Sequence, residues 1–413
     1  MKDLISPLTA RAVQQLELRP ESMAYVIHDT TRLSWKIYED KPRLHLSRLS
    51  TKTQGFFIHT SLLFSGDTYP DPLGVLGAQA FVHRKDVEGE PETLAYWTQH
   101  QGILDHEPDR WVRGVEEAAK HLGAASSRVL HLMDAETDDW SLLTQWTDQG
   151  HRFICRLAQN RRILEGPQGA QTIEQALLHA ARQSLMEIEV QGRGQAETHK
   201  ENHPARQART ARVEVRSCTV RVRRPDKHPE GPREVSLNLV QTIELNPPAG
   251  EPPISWILAT REPVESEEDC MAILRAYRHR WLTEEFYKAM KTGCGFNDLQ
   301  LESASSLLKE WALLMPVALH LLRLRVLARA ESELPAQEVV TSEQLGVLNA
   351  LVPRTQLTLQ SPLHLVLIAV ARLGGYLRGP IGWLVLGRGY MRLLEYEQVW
   401  RAARNAGPVP DIV

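Results

Sequence analysis

Cysteine is scarce in this 413-residue chain, and the sequence contains no long apolar run. The four cysteines (Cys155, Cys218, Cys270 and Cys294) are scattered without a C-x-x-C pair, which argues against a disulfide framework or a zinc knuckle. The longest apolar stretch, residues 365–371, is far too short to cross a bilayer, and the chain does not open with a charged-then-apolar leader. We therefore expect a reduced, cytosolic protein with two or three domains.

A surplus of positive charge is also missing, since the formal net charge is −3. Nucleic-acid binding usually depends on neutralising phosphates with basic side chains. The distribution is uneven, however, because residues 193–233 hold eleven basic residues against five acidic ones. This stretch is either an ordinary solvated loop or a track along a DNA backbone; its place between two acidic sites favours the track. Its basic residues are Arg193, Lys200, Arg206, Arg209, Arg212, Arg216, Arg221, Arg223, Arg224, Lys227 and Arg233, and a second cluster holds Arg152, Arg156, Arg161 and Arg162.

Two aspartates follow short apolar runs. Asp29 comes after residues 24–27, and Asp134 comes after residues 129–133. Each run predicts a buried strand that ends at the acidic residue. Taken alone, each aspartate is more often a turn residue or a helix cap than a metal ligand, and Asp134 could cap a helix that starts near Thr137.

A third carboxylate lies on a predicted helix with the sequence AYRHRWLTEEFYKAMKTGCG. At ideal helical spacing, Tyr277, Arg280, Glu284 and Lys291 fall within a sector of about 60°, and Lys288 belongs to the same segment. Charged helix faces are usually solvated surface, which is the alternative interpretation. A stripe of this kind also suits a metal-bound phosphodiester, because the carboxylate holds the cation while the other groups hold phosphate oxygens.

Two strand-end aspartates and a glutamate on a later helix form the pattern by which an RNase H-like fold builds a two-metal site. Hard divalent cations prefer oxygen ligands, and three carboxylates can hold two ions about 3.5–4 Å apart around a scissile phosphate. Asp29, Asp134 and Glu284 are therefore the candidate catalytic and metal-binding residues.

The chain also resembles a known family, the Tn-five-type DDE transposases of bacterial insertion-sequence family four. Their signature Y-x2-R-x3-E-x6-K is met by Tyr277, Arg280, Glu284 and Lys291 without a gap. Similar strings follow in the family's order along nearly the whole chain: HDTT around Asp29, GFFIHTSLLF at 55–64, RFICR at 152–156, NPPAGEPPISWILATREPVES at 246–266 and AVARLGGYL at 369–377.

The resemblance implies metal-dependent cut-and-paste DNA transposition, through nicking, hairpin formation, hairpin opening and strand transfer. It implies two Mg²⁺ ions, for which Mn²⁺ can substitute, and Trp256 as a platform for a flipped base, with a core or edge-strand aromatic as the alternative. Implied partners are double-stranded DNA, as transposon ends and target, and a second copy in a synaptic homodimer. The implied location is the bacterial cytoplasm, at the nucleoid. Implied DNA-binding residues are Tyr277, Arg280, Lys288, Lys291, Arg156 and Trp256.

Two departures from the family pattern stand out. The segment LAQNRR at 157–162 replaces a more basic one, which puts DNA contacts beyond Arg156 in doubt. Asp29 also arrives early, so the resemblance implies that an N-terminal end-recognition domain is lacking. The alternative function is therefore a shortened, catalytically idle regulator that inhibits full-length transposase by dimerisation.

The predicted fold class is α/β: an RNase H-like (retroviral integrase-like) catalytic core with a β-strand insertion and a C-terminal helical domain. The predicted domains are a linker helix at 1–22, core at 23–162, β-rich insertion at 163–260, core with the signature helix at 261–331, and a C-terminal helical dimerisation domain at 332–413. Predicted strands are 23–28, 55–64, 74–83, 128–133, 152–157, 211–223, 234–244 and 255–260. Predicted helices include 111–122, 172–184, 266–291, 303–330, 342–351, 362–377 and 381–405.

Overall fold

The computed structural model describes residues 1–38, 41–66, 69–190, 192, 206–329 and 334–405. Within these residues the protein is mixed α/β and ends in a group of helices, as predicted. The chain forms two compact units. The first consists of Met1–Gly123 together with Trp281–Val413, and the second is Ala124–Arg280.

The helices and strands are numbered along the chain. The helices are α1 (Lys2–Glu17), α2 (Pro91–Gln99), α3 (Pro108–Leu122), α4 (Trp140–Asp148), α5 (Ile173–Leu178), α6 (Glu267–Arg278), α7 (Trp281–Lys288), α8 (Ala304–Arg329), α9 (Ser342–Leu351), α10 (Leu363–Leu373) and α11 (Trp383–Asn405). The strands are β1 (Ala24–Lys36), β2 (Ser47–Arg48), β3 (Thr53–Ser65), β4 (Asp71–His83), β5 (Ile103–Leu104), β6 (Val129–Met133), β7 (Arg152–Leu157), β8 (Ile163–Glu165), β9 (Ala181–Val190), β10 (Arg209–Arg223), β11 (Glu234–Glu244) and β12 (Ser255–Thr260).

In the first unit the strands follow the order β5-β4-β3-β1, and β2 pairs with β3. β1 runs antiparallel to β3 along its whole length, from Ala24 opposite Ser65 to Lys36 opposite Thr53. β3 and β4 are buried almost throughout, because α1, α3 and α8 pack on this sheet. Strands that are covered on both sides carry continuous apolar runs, as the sequence GFFIHTSLLF does.

Two details fix the helices on β4. Gly74 allows α1 a close approach, since a Cβ at this position would lie 2.7 Å from the Cβ of Ala12. Asp71, at the start of β4, accepts hydrogen bonds from Arg19 beyond α1 at 2.9 Å and from Arg323 of α8 at 2.7 Å. One buried carboxylate therefore links β4 to α8 and to the segment that follows α1.

The C-terminal helices α9, α10 and α11 pack on one another. A Cβ at Gly389 of α11 would lie 1.9 Å from the carbonyl oxygen of Val370, so only glycine permits this crossing with α10. Leu345 and Leu348 are buried within the unit, whereas Leu365 remains 42% exposed. Part of the apolar surface of these helices is thus used internally.

α8 alone, among the described residues, is long and apolar enough to cross a bilayer by length and composition. Half of its most apolar window is buried inside the protein, and buried side chains such as Trp311 and Met315 pack within the unit. The core helix of a soluble protein has the same character.

The second unit is built around a mixed sheet with the order β6-β7-β12-β11-β10-β8, and β9 also pairs with β10. β6 and β7 are parallel, whereas β12 runs antiparallel to β7 and β11. In β10 exposed and buried positions alternate over residues 219–223, as expected for an antiparallel strand, whereas Val213, Glu214 and Val215 are all buried. α4 lies against β7 and β11, α5 against β10 and α6 against β9.

Most predicted elements are confirmed, but three predictions are wrong. β1 does not end at Asp29; it continues to Lys36. The helix predicted at 172–184 ends at Leu178, and residues from Ala181 form β9, whose pairing with β10 outweighs the local helical pattern. The single helix predicted at 266–291 is divided into α6, α7 and a π-helical turn.

Candidate functional site

Asp29 lies in the middle of β1, opposite Thr60 of β3, and is partly exposed. The strand continues past Asp29 because Thr31, Leu33 and Trp35 point into the core while the residues between them face outward. One carboxylate oxygen of Asp29 accepts a hydrogen bond of 2.8 Å from the backbone N–H of Thr30. The carboxylate is therefore held on a strand that pairs with β3 on both sides of Asp29 in the sequence, rather than on a turn.

Tyr287 of α7 fastens this helix to β1 and β3. Its hydroxyl donates a hydrogen bond to the backbone carbonyl of Asp29 at 2.7 Å, and it lies 2.7 Å from the hydroxyl of Thr60. Because the phenol has one proton, Thr60 must donate to it. Tyr287 and Thr60 are both buried. Sequence reasoning missed Tyr287, although it lies one turn after Glu284 on the same helix.

Glu284 shares a side of α7 with Tyr287, because residues three apart are neighbours on a helix. The contact of Tyr287 with Asp29 turns this side of α7 toward β1. Glu284 itself is partly buried. The first unit therefore brings two of the three predicted carboxylates to one region.

Lys291 lies in the π-helical turn Ala289–Gly293 that follows α7. Its Nζ donates a hydrogen bond to the carbonyl oxygen of Arg32 on β1 at 3.0 Å. Burial lowers the pKa of Lys291, and the neighbouring Arg32 lowers it further, whereas the Asp29 carboxylate opposes both effects. Lys291 thus lies close enough to Asp29 to feel its charge.

Lys288 is exposed and, unlike Lys291, contacts side chains of its own helix. Its Nζ lies 2.9 Å from the carboxylate of Glu285 and 5.1 Å from the ring centroid of Trp281. A surface pair of this kind contributes little to stability, so Lys288 can exchange partners.

The signature segment is not one continuous helix, which corrects the stripe calculated from ideal spacing. The backbone N–H groups of His279 and Arg280 bond to carbonyls three residues back, Ala276 and Tyr277, and α6 ends there. After α7, the N–H of Cys294 reaches the carbonyl of Ala289 five residues back, as a π-turn requires. Tyr277 and Arg280 belong to the second compact unit, while Glu284 and Lys291 belong to the first.

Asp134 follows β6 directly, as predicted, and is partly buried. Its carboxylate accepts a hydrogen bond of 2.8 Å from the N–H of Glu136 and so caps the short 3-10 turn Ala135–Thr137. The helix α4 has its own cap, Asp139, whose carboxylate accepts from Ser141 N–H. The capping role expected as the alternative is present on this short turn, and it involves one carboxylate oxygen.

Tyr277 lies in the electrostatic field of several predicted site residues of the second unit. Burial raises the pKa of its phenol to about 12; Arg280 and Arg156 act against this increase, and Asp134 adds to it. Arg156 is exposed on β7, opposite Leu258 of β12. The second unit thus brings a protonated phenol, two guanidinium groups and the Asp134 carboxylate into one neighbourhood.

Trp256 is partly buried on β12, opposite Thr242 of β11. The pairing of β12 with β7 begins one residue later, at Ile257 opposite Leu157. Trp256 therefore lies at the end of this ladder and is not a fully buried core residue.

Two arginines of the second basic cluster form internal ion pairs. Arg161 is buried and binds the Asp138 carboxylate at 2.6 Å, while Asp138 also accepts hydrogen bonds from the N–H groups of Ala158 and Gln159. Arg152 binds Glu262 in a bidentate contact. These two arginines are therefore already paired with a carboxylate within their own unit.

The 193–233 track is also partly neutralised. Arg209 binds both Glu244 and Glu251. The hydrogen bond from Arg209 lowers the pKa of Glu244, and this effect is larger than the increase caused by burial. Arg216 binds Glu214, and Arg221 has two carboxylate partners. Arg193 and Lys200 lie outside the described residues.

The donor set of Asp29, Asp134 and Glu284 has the oxygen chemistry that Mg²⁺ prefers. In residues 1–38, 41–66, 69–190, 192, 206–329 and 334–405, no group of three or more His, Cys, Asp or Glu side chains has the arrangement of a metal site. No protein-family model matches the chain.

Proposed function

We propose that this protein is a DDE-type DNA transposase of the Tn-five kind, catalysing metal-dependent phosphoryl transfer on DNA. The observation that supports it best is the attachment of the signature segment to β1. Tyr287 binds the backbone of Asp29, and Lys291 binds that of Arg32, although more than 250 residues separate the partners along the chain. A merely solvated helix face would have no reason to meet the strand of the first predicted carboxylate.

In this proposal Asp29 and Glu284 would hold one Mg²⁺, Asp29 and Asp134 would hold the other, and Mn²⁺ could replace both. When bound, the ions would activate the attacking water or 3′-hydroxyl and stabilise the leaving oxygen. The chain's own part is to orient the carboxylates: the Thr30 N–H holds one oxygen of Asp29, and the Glu136 N–H holds one of Asp134.

The remaining site residues would bind DNA. The Tyr277 phenol, whose pKa is about 12, stays protonated at neutral pH and can donate to a phosphate oxygen. Arg280, Arg156 and Lys288 add positive charge. Lys291 donates one hydrogen bond to the carbonyl oxygen of Arg32, and its other ammonium protons can bind a phosphate oxygen. Trp256, at the open end of its ladder, would stack on a flipped base, a contact worth about 1–3 kcal/mol.

The finer architecture belongs to the same proposal: an RNase H-like core interrupted by a β-rich insertion. The partners would be double-stranded DNA, as transposon ends and target, and a second copy of the chain in a synaptic complex. The cytoplasm, at the nucleoid, is the corresponding location.

A cleavage assay on transposon-end DNA from the host genome, with Mg²⁺ or Mn²⁺, tests this function. We expect nicking by the wild-type protein and its loss in Glu284→Gln. Glu268→Gln, an exposed carboxylate change in the first turn of α6, is the matched control and should cleave normally. Equal cleavage by the Glu284 variant and the wild type would remove Glu284 from the site, and no metal-dependent cleavage by the wild type would refute the function.

The shortened-regulator alternative draws support from the C-terminal helices. Leu384 and Val399 of α11 are 51% and 64% exposed, which leaves apolar surface for a partner helix. Co-expression with a full-length relative, scored by transposition frequency, tests this alternative. An unchanged frequency at high dose would exclude it.

A further inference from the structure

The basic residues of the insertion divide into two sets. Along the body of β10, the arginines at 209, 216 and 221 are paired with carboxylates. At the end of β10 the balance changes. Arg162 and Arg233 are exposed, and neither forms an ion pair with any residue that the structure describes. With Arg223 and Arg224 they form a group of four arginines at this end of the strand; Arg212, also exposed and without an ion pair among the described residues, lies elsewhere on β10.

The backbone arranges these four arginines side by side. The N–H of Arg223 donates to the carbonyl of Arg162 at 2.9 Å, and the N–H of Arg224 donates to the carbonyl of Arg233 at 2.9 Å. Two consecutive arginines are thus flanked by one arginine on each side. The guanidinium of Arg224 is further held by the carbonyl of Gly231 at 2.8 Å, so it is oriented in advance.

Two adjoining clefts open at this point. One, of about 310 Å³, is lined by Arg162, Arg223 and Arg224, and the other, of about 380 Å³, by Arg223, Arg224 and Arg233. The two clefts share Arg223 and Arg224 in their lining, so these four arginines line the pair. We call these two adjoining clefts together the arginine cleft.

One carboxylate, Asp226, also lines the arginine cleft and lies 3.1 Å from Arg223. Its side chain is 86% exposed, and a pair in that setting is screened by solvent and contributes little. A phosphodiester, whose single negative charge is shared by two oxygens, can displace it from Arg223. Arg161 lines the same cleft, but Asp138 neutralises it.

We propose that the arginine cleft binds the phosphodiester backbone of duplex DNA. Guanidinium groups bind phosphate oxygens in bidentate fashion, and four of them in a row exceed what a single phosphate can engage. Successive phosphates along a strand match such a row. The choice of DNA as the polyanion rests on the proposed function, whereas the phosphate-binding chemistry follows from the arginine cleft itself.

Duplex binding by the full chain, followed by fluorescence anisotropy in EDTA between about 50 and 200 mM KCl, tests the arginine cleft. The test variant is R162Q/R233Q, which removes two exposed guanidinium groups and leaves their backbone contacts in place. The matched control is Arg221→Gln on the same strand, because Arg221 is already neutralised by Glu165 and Glu234.

Each lost phosphate contact reduces the slope of log K against log salt by about 0.9, so the double variant should lose about 1.8. At about 0.1 M salt this corresponds to roughly a 60-fold weaker affinity. Arg221→Gln should leave the slope unchanged, and thermal melting should show both variants folded.

An unchanged slope in the folded double variant, or an equal loss in the control, would refute the arginine cleft. Absence of duplex binding by the wild type would refute it as well. Cleavage of end DNA with Mg²⁺ is measured separately. If cleavage depends on Glu284 but the salt slope of the double variant is unchanged, the proposed function is retained and only the arginine cleft is refuted.

Discussion

Removing one hydroxyl, by Tyr287→Phe, should weaken both the first unit and the proposed chemistry. The phenol donates to the Asp29 carbonyl and accepts from the Thr60 hydroxyl, each at 2.7 Å. Phenylalanine keeps the ring in its place between α7 and the sheet, so packing is conserved and the change is confined to these two hydrogen bonds.

The magnitude follows from burial. Tyr287 is 6% exposed and Thr60 is 0% exposed, so water cannot replace the lost partner of the Thr60 hydroxyl. A buried polar group left without its hydrogen bond costs about 1–3 kcal/mol. We expect the free energy of unfolding to fall by about 2 kcal/mol. Thr60→Val removes the same contact from the other side, so the double variant should be less destabilised than the sum of the single variants.

Urea unfolding of the wild type, the two single variants and the double variant gives the coupling free energy between Tyr287 and Thr60. The control is Tyr38→Phe, at a tyrosine that is 69% exposed. The cleavage rate should fall in Tyr287→Phe, because the backbone of Asp29 is no longer tied to α7, while DNA affinity stays unchanged. Additive destabilisation, or a loss in Tyr287→Phe no larger than that of the control, would show that the hydroxyl does not fasten α7.

Three further predictions concern stability and the DNA steps. Asp71→Asn should lower the free energy of unfolding by about 2–3 kcal/mol, because two arginines lose a charged acceptor; a change within about 0.5 kcal/mol in urea unfolding would contradict this. Burial, with Arg110 nearby, lowers the pKa of His59 from 6.5 to about 3, so the unfolded chain binds a proton that the folded protein excludes. His59 therefore costs no stability above pH 6.5 and progressively more as the pH falls toward 3; His59→Gln should flatten that part of the stability curve, and an unchanged pH dependence would refute the assignment. Trp256→Ala should impair hairpin formation and spare the first nick, since only the hairpin requires a flipped base; equal loss of both steps in gel assays would return Trp256 to a structural role.

The sequence predicted strands best where apolar and polar residues alternate. β10, β11 and β12 lie where the pattern placed them. The error at Asp29 has a physical origin, because His-Asp-Thr-Thr favours a turn locally. In the structure β3 continues alongside the segment, and the ladder beyond Asp29 pairs the remaining residues of β1 through to Lys36. Long-range pairing overrides a local preference of this size.

The division of the signature segment had no signal in the sequence. No glycine or proline occurs between Tyr277 and Thr292, so nothing local predicts a break. The 3-10 bonds that end α6 and the π-turn after α7 are backbone rearrangements that depend on tertiary packing. The candidate residues could be chosen by type and spacing, whereas their relative directions could not.

The fate of the arginines shows why charge counts along a sequence describe binding surfaces poorly. Arg221 meets Glu165 and Glu234 because β10 lies between β8 and β11, a neighbourhood created by strand order. Arg223, two residues further on the same strand, lies opposite Glu234 in the ladder, yet its guanidinium pairs with the exposed Asp226. A count of basic residues does not distinguish Arg221 from Arg223. Because an ion pair already formed must be broken before a phosphate can bind, affinity should depend on the few unneutralised guanidinium groups rather than on the basic total, and a chain with a net charge of −3 can still present a strongly cationic cleft.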